Sequence, residues 1–196
     1  MPTIATRLPF LGLVLAPLLL GVSTFFWTHG EYGVAGGTVL VFATVFWIVG
    51  LAGLFELLRR KLPVYSTIGF VVAVYGCVGG ANFGLVGVFS EAFSISHQTY
   101  LQTASEHALG FDLLLFWPGP LFPLSLLVLG IQLARKRVIP GWVAAMICLG
   151  AVTFPASRIP RIEWIAHTAD GLLAIPFCYL GLKGFFFGVF DRTLRV

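Results

Sequence analysis

Glu163, His167 and Asp170 stand four and then three residues apart in "RIEWIAHTADG", a stretch that opens a long apolar run. On an α-helix, positions i, i+4 and i+7 share a face, so the three ionisable groups form one stripe running down from the helix start. At about 1.5 Å per residue, Asp170 falls ~12 Å below that start. A second run, "EHALGFD", opens with Glu106 and His107 and carries Asp112 to a depth of ~10 Å. The spacings differ, so the similarity of the two runs is no more than a faint echo of an internal repeat.

Histidine and carboxylate together suit zinc or another first-row divalent ion. The candidate metal ligands are His107, His167 and Asp170, and the candidate catalytic carboxylates are Asp112 and Asp170. In that reading a metal-bound water, or a carboxylate acting as general base, attacks a lipid-like substrate, as in a membrane-embedded metal-dependent hydrolase. Haem held between His107 and His167 is the second choice of cofactor, since no attachment motif accompanies it. No H-E-x-x-H is present either. Asn82, Glu163, Arg158 and Arg161, with Thr24, complete an expected outward-facing pocket for a metal ion or small polar ligand. The competing reading is structural. A carboxylate in hydrocarbon is costly unless paired, so Asp112 or Asp170 would pair with Arg158 or Arg161, or accept from His107 or His167, and pin helix ends together.

The elements that carry these residues are membrane helices. Apolar residues make up 58% of the 196 and charged residues 10%, a composition outside the range of soluble domains. Six apolar stretches, near 8–28, 33–58, 63–89, 107–134, 139–157 and 162–189, are each long enough to cross a hydrocarbon core ~30 Å thick. Helices are required because backbone groups in lipid need internal partners, and the alternation of a barrel strand is absent. The expected fold is all-α: a single membrane domain, 1–196, forming a six-helix transmembrane bundle. The first stretch is too long for a signal-peptide core and "WTHGEYG" offers no small-x-small cleavage site, so it is read as a span.

Basic residues cluster at Arg7, Arg59-Arg60-Lys61, Arg135-Lys136-Arg137 and Arg192 with Arg195. The positive-inside rule then predicts cytoplasmic N and C termini, consistent with an inner (plasma) membrane of bacterial type. Glu31, Glu91, Glu106, Glu163, both candidate aspartates and all four histidines collect on the opposite side. The net charge of +4 is therefore topological, and gives no reason to expect nucleic acid as a partner. Glu56 is expected to be neutralised by Arg59 and Arg60, at i, i+3 and i, i+4. Cys77, Cys148 and Cys178 each fall within a span, without C-x-x-C spacing, and read as buried thiols.

Three patterns bear on packing. Gly76, Gly80 and Gly84 recur every four residues and should let a neighbouring helix approach closely, as should the glycines of the second span. Pro118, Pro120 and Pro123 remove amide donors from the fourth span and should kink it or break it. Residues 90–106 form the longest connection, an ordered loop with apolar anchors, a segment lying on the membrane or a lid folded over the bundle. Two further functions stay open beside the hydrolase. A small proton-coupled transporter would use the kinked span and the deep aspartates, and would need to oligomerise. A non-catalytic subunit of a larger membrane complex would use the glycine faces for docking.

Overall fold

In the computed structural model, the described residues are 4–187, with side chains described for 7–186. Arg192, Arg195 and positions 188–189 of the expected sixth span lie outside them. Among the described residues the chain is all-α, with seven helices: α1 (Ile4–Phe25), α2 (Gly33–Arg59), α3 (Pro63–Ala92), α4 (His97–Glu106), α5 (Ala108–Arg135), α6 (Gly141–Arg158) and α7 (Glu163–Phe187). All but α4 are long and apolar enough to cross a membrane. Their starts and stops follow local chemistry: Pro63 opens α3, where its missing N–H costs nothing, and Pro140 precedes α6.

Each spanning helix packs on its neighbours in sequence, and α7 returns to α1, so the six close a ring. Trp47 of α2 fills the centre, its ring 4.8 Å from that of Phe177 on α7 and 5.3 Å from that of Phe122 on α5. Phe122 in turn meets Phe154 of α6. Toward the end where α1 begins, the interior is filled by aliphatic side chains, among them Leu54, Leu58, Leu129 and Leu133, each fully buried.

Lipid tails are as apolar as leucine, so this core gains little from burial as such. Close packing has to hold the ring. Glycines supply it at every seam. An added Cβ would lie 2.7 Å from the Gly50 amide if placed on Gly12 (α1 against α2), 2.5 Å from the Phe122 amide on Gly76 (α3 against α5) and 2.6 Å from the Phe10 carbonyl on Gly181 (α7 against α1). Gly37 meets the Gly84 carbonyl between α2 and α3, Gly130 meets α6, and Gly150 meets Leu173 of α7. The expected single stripe on α3 thus serves two neighbours: Gly76 and Gly79 face α5, whereas Gly80 and Gly84 face α2. These surfaces are consumed inside the ring and are not left for a partner.

The proline-rich fourth span does not break: it runs as one helix through a π-helical turn. Residues Asp112–Phe116 form a π-helical turn in which the Trp117 amide bonds the Asp112 carbonyl at 2.8 Å. That shift, with the missing amide of Pro118, leaves the Leu113 and Leu114 carbonyls without their usual donors. Two side chains of α3 seven residues apart, hence on one face, replace them: the Tyr75 hydroxyl donates to Leu113 and Asn82 Nδ2 to Leu114 at 2.8 Å.

The long connection expected over 90–106 is largely helical, because α3 continues to Ala92 and α4 begins at His97. Ser96 caps α4, its hydroxyl accepting from the Thr99 amide at 3.1 Å. At the other end of the ring, Glu56 pairs with Arg59 at 3.0 Å, the i, i+3 contact expected from their spacing.

Candidate functional site

The polar residues gather at the end that holds the 26–32, 93–96 and 159–162 connections. The Glu163–His167–Asp170 stripe descends as its spacing requires: Glu163 is exposed in the first turn of α7, His167 half-buried and Asp170 buried. The His167 ring lies 4.5 Å from that of Phe25, at the end of α1.

Asp170 is closed off on both oxygens. Arg158 Nη2, from the last turn of α6, donates to Oδ1 at 2.7 Å, and the Thr24 hydroxyl of α1 donates to Oδ2 at 2.6 Å. The same Arg158 nitrogen donates to the Thr24 oxygen at 3.1 Å, so each polar atom of the triangle has a consistent role. Three helices, α1, α6 and α7, are joined at one point. The Asp170 and Arg158 side chains are only 5% and 12% exposed, which puts the pair in the regime where removing one partner strands a charge.

The Arg158 guanidinium is also held by aromatic faces, 4.7 Å from the Trp27 ring and 5.0 Å from the Phe154 ring. Its remaining donors, Nε and Nη1, are buried and have no hydrogen-bond acceptor. The Trp27 indole N–H beside it, a near neighbour of the Tyr32 hydroxyl, makes no hydrogen bond of acceptable geometry. Burial pushes the Tyr32 hydroxyl above the ordinary tyrosine range, with Arg158 pulling the other way, so it stays a neutral donor. The region is rich in donors and short of acceptors.

A more exposed layer lies over this one. Arg161 pairs with Glu31, and His97 Nδ1 at the start of α4 stands 3.3 Å from the same carboxylate oxygen. Arg161 adopts a left-handed backbone, φ 57°, and its stem packs so closely on Gly30 that a Cβ there would come within 2.7 Å. Glu91, from the last turn of α3, accepts the Val34 amide at the start of α2, where the helix dipole favours an anion.

The metal site read from the sequence is not assembled. Among the described residues no three His, Cys, Asp or Glu side chains form a group able to hold a metal ion. The physical reasons are local. Asp170 spends both oxygens on Arg158 and Thr24, His107 is exposed at the joint between α4 and α5, and His167 packs on Phe25. Helices α5 and α7 share no seam in the ring, so the pairing of His107 with His167 for zinc or haem, and of Asp112 with Asp170 for catalysis, finds no support. Asp112 is half-buried on the π-helical turn. Asn82 serves the Leu114 carbonyl on α5. Of the candidates, only Thr24, Arg158 and Asp170 come together as one contact, with Arg161 in the layer above.

Sequence reasoning did not single out Trp27 or Phe154, and it gathered Glu31 and His97 at this end without giving either a role in the site. Trp27 reads as an ordinary interfacial aromatic with no spacing that ties it to an arginine, whereas Phe154 stands four residues before Arg158 on α6, an i, i+4 spacing that could have given the contact. No protein-family model, curated protein or solved structure matches this chain.

Proposed function

We propose that the acidic end of the ring receives a small polar ligand bearing oxygen acceptors, such as a carboxylate or a phosphate, against Arg158, and that it binds this ligand without transforming it. One observation carries the reading: Arg158 keeps Nε and Nη1 buried and unpartnered although Asp170 already balances its charge. An unmade buried hydrogen bond costs about 1–3 kcal/mol, so an incoming acceptor gains what the fold leaves unspent. The planar fork of a guanidinium suits paired oxygens, and the Trp27 and Phe154 faces fix its plane. Arg161, Glu31 and His97 would form the entrance.

The hydrolase reading loses support because its carboxylates and histidines lie on helices that do not meet along a seam. The transporter reading loses support because Trp47, Phe122 and Phe177 fill the middle of the ring. The filled interior does favour a second reading, a non-catalytic subunit of a larger membrane assembly. Its partner would meet the lipid-facing flanks, since the glycine faces are taken.

Thermal unfolding of the detergent-solubilised protein with acetate, succinate or inorganic phosphate tests the first reading. A ligand at 100 times its Kd stabilises by about 2.7 kcal/mol, a readily measured shift. Arg158→Lys keeps a cation for Asp170 but removes the free fork, so it should retain the fold and lose the shift, and Trp27→Phe should weaken it. No shift with any of the three probes in the unmodified protein would leave the free donors to ordered water and remove this reading. A larger particle in mild detergent, with a co-purifying chain, would favour the second.

A further inference from the structure

At the opposite end of the ring, a cavity of about 710 Å³ opens on the flank between α3 and α5. Its mouth is Lys61, its walls include Val64, Ile68 and Val72 of α3, and Leu124 and Val128 of α5 close the far side. Val64, Ile68 and Leu124 are 70%, 60% and 51% exposed, so the groove faces away from the ring, toward where lipid lies. From Pro63 to Val72 it follows α3 for about 14 Å at 1.5 Å per residue. That is close to half of a hydrocarbon core ~30 Å thick, the depth of one leaflet.

The mouth carries charge of one sign. Lys61, Arg59 and Arg60 from one connection stand with Arg135, Lys136 and Arg137 from another, and Glu56 is the one acid within either group or the helical turn before it. Lys61 links the two connections, Nζ donating to the Lys136 carbonyl at 3.0 Å and leaving two of its three N–H donors free of that contact. An apolar channel one leaflet deep that ends at an ammonium and neighbouring basic side chains matches one chemistry: an acyl chain joined to an anionic phosphate headgroup.

We infer that this groove is a binding site for an anionic phospholipid, with one acyl chain along Val64, Ile68 and Val72 and the phosphate at Lys61 and Lys136. The inference is independent of the ligand reading at the other end. A free phosphate would satisfy the lysines without needing the groove, and a neutral lipid would fill the groove without needing the lysines. The site asks for both in one molecule.

Native mass spectrometry of the delipidated, detergent-solubilised protein, titrated with phosphatidylglycerol or phosphatidylcholine of the same chain length, decides it. The expected result is at least fivefold tighter binding of phosphatidylglycerol. Lys61→Met, which keeps the apolar stem, should abolish that preference, and Val72→Phe, which fills the groove, should reduce binding of both lipids at least fivefold. Lys183→Met, at the same end but on α7 and outside the groove, should leave the preference within twofold of the unmodified protein. Because Lys61 also holds a loop carbonyl, Lys61→Arg provides the check on folding and should keep the preference. Equal binding of the two lipids, a preference that survives Lys61→Met, or binding unaffected by Val72→Phe would overturn the inference. Protection from heat by inorganic phosphate to the same extent as by phosphatidylglycerol would also overturn it.

Discussion

The two ends of the ring hold similar numbers of ionisable side chains and treat them in opposite ways. At the acidic end charges of both signs are interleaved and paired, Arg158 with Asp170 inside and Arg161 with Glu31 and His97 above. At the basic end six lysines and arginines crowd two short connections, and the ion pair there, Glu56 with Arg59, is more than half exposed on both sides. Burial accounts for the contrast. A charge taken out of water has to bring its partner from elsewhere in the fold, and Asp170 draws one from twelve residues away on α6 and a hydroxyl from α1. A charge left in the headgroup region needs no partner from the protein, because water and anionic lipid supply one.

The contrast can be broken most severely at its buried side. Asp170→Ala leaves Arg158 uncompensated at 12% exposure and should cost about 3–5 kcal/mol in reversible unfolding from detergent, enough to lower the yield of folded protein. Next in size is the seam between α2 and α3. Gly37→Ala sets a Cβ against the Gly84 carbonyl, a backbone atom that cannot swing aside, so the helices must part. The expected loss is about 1–3 kcal/mol, measurable as a fall in thermal midpoint. Asn82→Ala strips the donor from the Leu114 carbonyl and should cost about 1–2 kcal/mol, with faster amide exchange around 112–118 as the local signature. Smallest is the exposed pair at the basic end. Arg59→Met should change stability by no more than about 0.5 kcal/mol, since both side chains are over half exposed. A loss at Arg59 equal to that at Asp170 would erase the distinction between the ends.

Much of the fold is legible in the sequence for reasons that belong to the bilayer. A span must be apolar for about 20 residues and must satisfy its own backbone, so α1, α2, α3, α5, α6 and α7 show in composition alone. The descending stripe on α7 is legible because helical period fixes which residues share a face. Which face meets which neighbour is not. The same spacing that aligns Gly76, Gly80 and Gly84 permits one seam or two, and the structure divides them between α5 and α2. The order of the ring likewise separates α5 from α7, and no residue of "EHALGFD" or "RIEWIAHTADG" reveals it. The α4 helix was hidden by its brevity and mixed composition, although Ser96 ahead of His97–Glu106 is a usable capping signal. At the site, pairing of a deep aspartate with a nearby arginine follows from the cost of a lone charge. The aromatic clamp is legible only by half: Phe154 precedes Arg158 by four residues on one helix, whereas Trp27, like any interfacial tryptophan, has reason enough to be there without an arginine.

A double-mutant cycle on Arg158 and Asp170, read by reversible unfolding in detergent, tests the buried lock most directly. Arg158→Met and Asp170→Leu should each destabilise strongly, while the two together should recover most of the loss, giving a coupling of at least about 2 kcal/mol. Strictly additive losses, with no recovery in the double variant, would contradict it.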